Sequence, residues 1–169
     1  MLSGAEILLP RSFNDRFVVY LNPPKYLSLR FYRLHIKEGD PLVLAGFFNS
    51  TIFWLIFETL GNKNQGQGVL DFYMDAFLRT SIPIVLSTDI GTVFKKLGSR
   101  KAENIFKECG INPESTILIE QQVPTPLSDR VALDKIIFDA LGLTEEERKD
   151  VYRAVCRLVW NRISKAKNV

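Results

Sequence analysis

A chain of 169 residues with 46% hydrophobic residues fits one domain, or one domain with a helical appendage, and holds enough apolar side chains to fill a core. A formal net charge of +3 and a pI near 8.9 permit an acidic partner without demanding one. Two cysteines, Cys109 and Cys156, without a CxxC pair, zinc spacing or cleavable signal sequence, are expected as free thiols in a reducing, cytoplasmic setting.

In chain order, 17–22 and 27–37 read as strands rich in Val, Leu, Phe and Tyr, broken by Pro23-Pro24. In the second, Leu29 and Phe31 share a face with Arg33 and His35, and Tyr32, Leu34 and Ile36 share the other. The single His35 reads as an ordinary strand residue. Asp40 and Pro41 supply the cap and first turn of a long apolar helix that stops at Gly61. That stretch, "PLVLAGFFNSTIFWLIFETLG", approaches the length of a membrane span. Asn49, Ser50 and Thr51 interrupt it and no basic cluster flanks it, so it is expected as the core helix of a protein with no membrane partner. Trp54, Phe53 and Phe57 are then core packing, and Asn49 bonds within the core.

Residues 61–68, "GNKNQGQG", form a polar, glycine-rich loop. A short strand is expected within 69–74, another extended piece at 80–86, and short helices at 88–97 and 100–109, the latter ending at Gly110. The apolar "TILIE" of 116–120 has strand character. Ser128 caps a helix with Leu133, Ile136, Ile137 and Ala140 on one face, stopped by Gly142. Thr144 and Glu147 form a capping box, and Val151, Val155, Leu158 and Val159 continue as the buried stripe of the last helix.

Catalytic motifs are scarce. There is no Walker loop, no GxSxG elbow and no HExxH helix. Asn22-Pro23-Pro24 matches the start of the Asn-Pro-Pro-aromatic motif of enzymes that methylate the adenine 6-amino group. Its fourth place, however, is Lys25, with Tyr26 one residue late, and only 21 residues precede it, too few for an upstream cofactor-binding half. A Pro-Pro turn between two strands accounts for it without catalysis.

The order of motifs "FYRLHIK", "GFFNSTIFWLIFETLGNKNQGQGVLDFY" and "IPIV" resembles the target-recognition region of adenine-specific DNA methyltransferases of restriction-modification systems, the TaqI-like C-terminal specificity domain. The likeness spans residues 15–86, and more loosely the tail "LDKIIFDALGLTEEERKDVYRAV". The catalytic half of that family is missing, so the resemblance implies DNA reading and not methyl transfer. It implies duplex DNA and a methyltransferase catalytic domain or subunit as partners. No cofactor is expected on this chain, and S-adenosylmethionine is implied for the catalytic partner.

Side-chain chemistry agrees with that implication. Asn62, Lys63, Asn64, Gln65 and Gln67 concentrate amides and a cation able to pair with base edges, and Lys25, Arg30 and Arg33 suit phosphates. The same residues serve equally as a polar connector and solvated strand positions. Lys95, Lys96, Arg100 and Lys101 form the densest basic cluster, with surface solvation as its ordinary role. The expected architecture is α/β (α+β), a mixed, partly antiparallel sheet around a central apolar helix, in residues 1–126, followed by a C-terminal helical hairpin in 127–169. The expected function is non-catalytic DNA target recognition. The rivals are a protein-interaction module docking through its last helix and a small S-adenosylmethionine-dependent methyltransferase.

Overall fold

A computed structural model describes residues 5–23, 26–63, 68–80 and 87–167. The fold is α+β, with two small antiparallel sheets and a C-terminal pair of packed helices. In the first sheet β1 (Ile7–Pro10) is central, flanked by β3 (Tyr20–Leu21) and β4 (Phe31–Leu34). All four β1 residues are buried. That explains why the sequence gives no strand signal at 7–10: a short strand covered on both faces reads as an unbroken apolar run and lacks the two-residue period. Arg11 passes the chain into the second sheet, where β2 (Ser12–Phe13) and β5 (Asn62–Lys63) flank β6 (Leu70–Asp71). The strands expected at 17–22, 27–37 and 69–74 therefore shrink to the short segments that find a ladder partner.

Register fixes which side chains face out. Leu8 pairs with Tyr20 on one side and Arg33 on the other, and Pro10 pairs with Phe31. Directly paired residues share a face of the sheet, so Tyr20, Phe31 and Arg33 stand together. Ile7 and Leu9 point the opposite way, into the core, with no exposed surface.

The long apolar stretch is two helices, α1 (Pro41–Phe48) and α2 (Thr51–Leu60), bent by 63°. The interruption is built by polar side chains that compete for helical hydrogen bonds. Asn49 Nδ2 donates to the carbonyls of Val19 (2.8 Å) and Ala45 (2.7 Å), and its Oδ1 accepts from Val19 N at 3.0 Å. Ser50 then caps α2, and the buried Asp134 accepts from both Thr51 N (2.8 Å) and Thr51 Oγ1 (2.6 Å). Asp40 caps α1 as expected, accepting from Leu42 N at 2.8 Å. Among the described residues no single helix is long and apolar enough to cross a membrane.

The remaining helices are α3 (Met74–Leu78), α4 (Asp89–Leu97), α5 (Ile105–Cys109), α6 (Ser128–Ala140) and α7 (Glu145–Lys167). α4 packs between α1 and α6, while α7 packs on α2 and α5. Around the α6–α7 turn, Phe138 meets Tyr152 edge-on at 5.7 Å and Arg148 Nη2 reaches Asp139 at 2.7 Å. The capping box forms, with Thr144 N donating to Glu147 Oε2 at 2.8 Å. α5 starts at Asn104, whose side chain caps it, rather than at Arg100. It ends at Gly110 with φ of 62°, the left-handed closure expected of that glycine. "TILIE" forms no strand: Ile119–Gln121 is a 3-10 turn with Ile119 inward and Ile117 and Leu118 exposed.

The core is aromatic. Phe13, Phe17, Trp54, Phe57 and Phe72 interlock, with the Phe57 and Phe72 rings stacked at 3.7 Å. Beside them a buried ion pair joins α7 to α2, Arg162 Nη2 lying 2.6 Å from Glu58 Oε1.

Candidate nucleic-acid interface

The arginines divide along the chain. Every arginine from Arg79 onward forms an ion pair with a carboxylate of this chain. Arg11, Arg16, Arg30 and Arg33 are exposed and, among the described residues, form none. A guanidinium without an internal carboxylate keeps its planar array of donors for an external acceptor, and phosphate is the acceptor it fits best.

These four cations surround exposed aromatic rings. On the outer face of the first sheet, Tyr20 (47% exposed) meets Phe31 edge-on, with ring centroids 5.7 Å apart. The Tyr20–Phe31 pair borders a groove of about 390 Å³ that Arg16 and Lys101 also line. Arg33 stands on the same face, across β1 from Tyr20. A second cleft, of about 430 Å³, opens where the two sheets meet, with Arg11, Arg30, Tyr32 and Tyr73 on its walls. There the Arg11 guanidinium lies 5.0 Å from the centre of the Tyr32 ring. Rings flanked by cations provide stacking surfaces for bases and anchors for the backbone phosphates.

The structure gathers part of the residue set expected from sequence. Arg33 joins the outer aromatic face and Arg30 the second cleft. Asn62 is exposed on edge strand β5, paired with Asp71, which itself lines that cleft. Lys63, the next residue of the same strand, pairs with Leu70. Lys25, Asn64, Gln65 and Gln67 lie outside the described residues, as does the Ile-Pro-Ile segment. Arg11, Arg16, Tyr20, Tyr73 and Lys101 are additional members. Tyr20 was within reach of the sequence pattern, since alternation about the apolar Val19 and Leu21 sends it to the other face.

Asn22 has a different job. Buried in the turn after β3, it donates from Nδ2 to the carbonyls of Ala5 (3.0 Å) and Tyr26 (2.9 Å) and accepts Tyr26 N at 2.9 Å. Its amide is engaged on both ends by backbone and ties the end of β3 to Ala5 and Tyr26.

The basic cluster on either side of α4's end also divides. Lys95, Lys96 and Lys101 are exposed and, among the described residues, form no ion pairs. Arg100 instead turns inward, making bidentate contacts to Glu108 (2.7 and 2.8 Å) and to Asp129 (2.5 and 2.9 Å). Glu108 also meets the buried Arg130 at 3.2 Å. Burial alone would raise the Glu108 carboxyl, but the Arg100 hydrogen bonds and the Arg130 charge outweigh it and hold it below the usual range. Asp134, one turn along α6, goes the other way: burial raises it against the pull of Arg130 and Thr51. This network clamps α5 to α6 and shapes the floor behind the first sheet.

No protein-family model matches the chain, and comparison with curated proteins and with solved structures gives no match either.

Proposed function

We propose that this chain is a non-catalytic DNA-binding unit that supplies target recognition to an adenine-specific methyltransferase. The catalytic domain or subunit of that enzyme would bind S-adenosylmethionine and flip the base. The observation that carries the DNA-binding part is the set of four arginines that form no ion pair among the described residues, beside the exposed rings of Tyr20 and Tyr73 and the half-buried ring of Phe31. Elsewhere the chain pairs its arginines, so these four are set apart by position. The assignment to methyltransferase target recognition rests on the order of motifs from residue 15 to 86.

Arg11, Arg16, Arg30 and Arg33 fix register on the phosphates in this reading, and Asn62 with the polar 61–68 segment addresses base edges. The rival reading, docking through the C-terminal helix, has little surface to use: Val155 and Val159 are fully buried and α7 lies against α2.

Fluorescence anisotropy of labelled random-sequence duplex DNA, repeated from low to physiological salt, tests the proposal. Four phosphate contacts give a log-log salt slope of about −3.6, or a loss of roughly 100-fold in affinity between about 50 and 200 mM salt. Changing all four arginines to Gln is expected to flatten that slope, whereas Arg153→Gln and Arg157→Gln leave it unchanged. Absence of DNA binding at low salt, or a slope indifferent to the four changes, would refute the reading.

A further inference from the structure

A third cleft, of about 510 Å³, lies behind the 17–21 segment, bounded by α1, α4 and the turn that follows α4. Its volume falls within the range of about 300–1,000 Å³ that small-molecule pockets occupy. Val18, Leu21, Leu42, Phe94 and Leu97 give it apolar walls. Four cations, Lys95, Arg100, Lys101 and Arg130, line it against one carboxylate, Glu108.

Arg130 is the telling member. It is only 5% exposed. Nε donates to Glu108 at 3.2 Å and Nη1 to the Asn49 carbonyl, while Nη2 makes no hydrogen bond. The side chain is otherwise buried, but Nη2 keeps accessible surface, and Arg130 lines the cleft, so an acceptor arriving there meets an open donor on a guanidinium already held in place by two other bonds. Arg100 has no such vacancy, since Glu108 and Asp129 occupy its fork. Asn49 is satisfied on both amide atoms. Of the cleft's cations, that leaves Arg130 Nη2 and the two ammonium groups, Lys95 and Lys101, with donors to offer.

We propose that this cleft binds a small organic anion with an apolar body, such as a medium-chain carboxylate. The carboxylate completes Arg130 and is drawn in by Lys95 and Lys101, and the body lies against Leu42, Phe94 and Leu97. Apolar walls supply affinity and the few converging donors select the charged head. The proposal does not depend on DNA binding, although Lys101 and Tyr20 border both the cleft and the outer groove.

The test uses the full chain and the fluorescence of 8-anilinonaphthalene-1-sulfonate, itself an apolar body with an anionic head, displaced by decanoate. Decanol carries the body without the charge and acetate the charge without the body. Decanoate is expected to displace the probe at about tenfold lower concentration than decanol, and acetate not at all. Lys95→Glu, at an exposed site without an ion pair, is expected to weaken decanoate about tenfold and leave decanol unchanged. Ala102→Trp, at the mouth, should block both. Arg30→Gln with Arg33→Gln should leave decanoate binding intact even where it lowers DNA affinity, which separates the two sites. Equal displacement by decanoate and decanol, indifference to Lys95→Glu, or no displacement by decanoate up to about 1 mM would overturn the proposal.

Discussion

Replacing Arg162 with Met tests how the helical and sheet layers are fastened. The side chain is 2% exposed and Glu58, its partner, is fully buried. Nε and Nη2 contact both Glu58 oxygens, at 3.1 and 2.6 Å. Nη1 donates to the Gly68 carbonyl and Nη2 to that of Asn14, the latter at 2.9 Å. One guanidinium therefore ties α7 to α2, to the residue after β2 and to the far end of the 61–68 segment. Methionine keeps the apolar stem but removes every donor, in a place where water cannot replace them. Removing one member of a buried pair costs about 3–5 kcal/mol. Total stabilities lie near 5–15 kcal/mol, so the loss is about a fifth or more of what holds the fold. With a urea m-value of about 2 kcal/mol per molar, the unfolding midpoint should fall by about 2 M. Adding Glu58→Gln removes the remaining charge of the pair, so the double variant should recover about 1 kcal/mol or more of the single-variant loss. A midpoint shift for Arg162→Met below about 0.5 M, or strictly additive losses in the double variant, would refute the account of this contact.

Two further predictions concern the backbone and pH. Gly110 and Gly142 both have left-handed φ, of 62° and 68°, but a Cβ at Gly110 would collide with the Thr125 carbonyl whereas Gly142 faces open space. Gly142→Ala should cost only the conformational penalty of about 1–2 kcal/mol, and Gly110→Ala clearly more, visible as a thermal midpoint several degrees lower still. Equal losses would remove the collision from the explanation. In the Arg100 network, hydrogen bonds from Arg100 lower Asp129, and Glu108 stays low against its burial. Depressed carboxylates contribute stability that is present above their unfolded values, near 4, and lost as pH falls through the folded values. The advantage of the native protein over Glu108→Gln should therefore shrink from pH 7 towards pH 3. Asp134 is raised by burial and has the opposite sign, its contribution lost as pH rises through its folded value. Urea midpoints across that range check both, and a Glu108→Gln deficit constant with pH would contradict the assignment.

The parts of the fold legible in the sequence are those carried by local chemistry. The Asp40 and Thr144 caps and the Gly110 stop each need only neighbouring residues to form, whereas Ser128, expected as a cap, is the first helical residue after Leu127 and makes no capping bond. The outward face of β4 was legible too, because alternation of Phe31, Tyr32, Arg33 and Leu34 needs only the strand period. β1 was not: "ILLP" carries no period, and its central place exists only once Leu21 and Leu34 arrive from elsewhere to pair with Ile7. The break at Asn49 shows the same limit. The interrupting residues were visible, but the bend depends on Val19, 30 residues before Asn49, which donates to and accepts from its amide, and on Asp134, 83 residues after Thr51, which accepts from Thr51.

Charge divides in the same way. The sequence by itself determined how many cations the chain carries and the spacing of its motifs. Tertiary structure alone decided which cations are available, because pairing depends on distances that chain separation does not set. Arg100 sits in the densest basic run and is consumed by Glu108 and Asp129, while Arg16, unremarkable in sequence, lines the groove beside the exposed ring of Tyr20. Arg130 was one residue of a helix until folding buried it at the edge of a cleft with one nitrogen lacking an acceptor. Short-range capping and periodicity are encoded locally, whereas the desolvation and pairing that give a charge its function arise only when distant segments close around it.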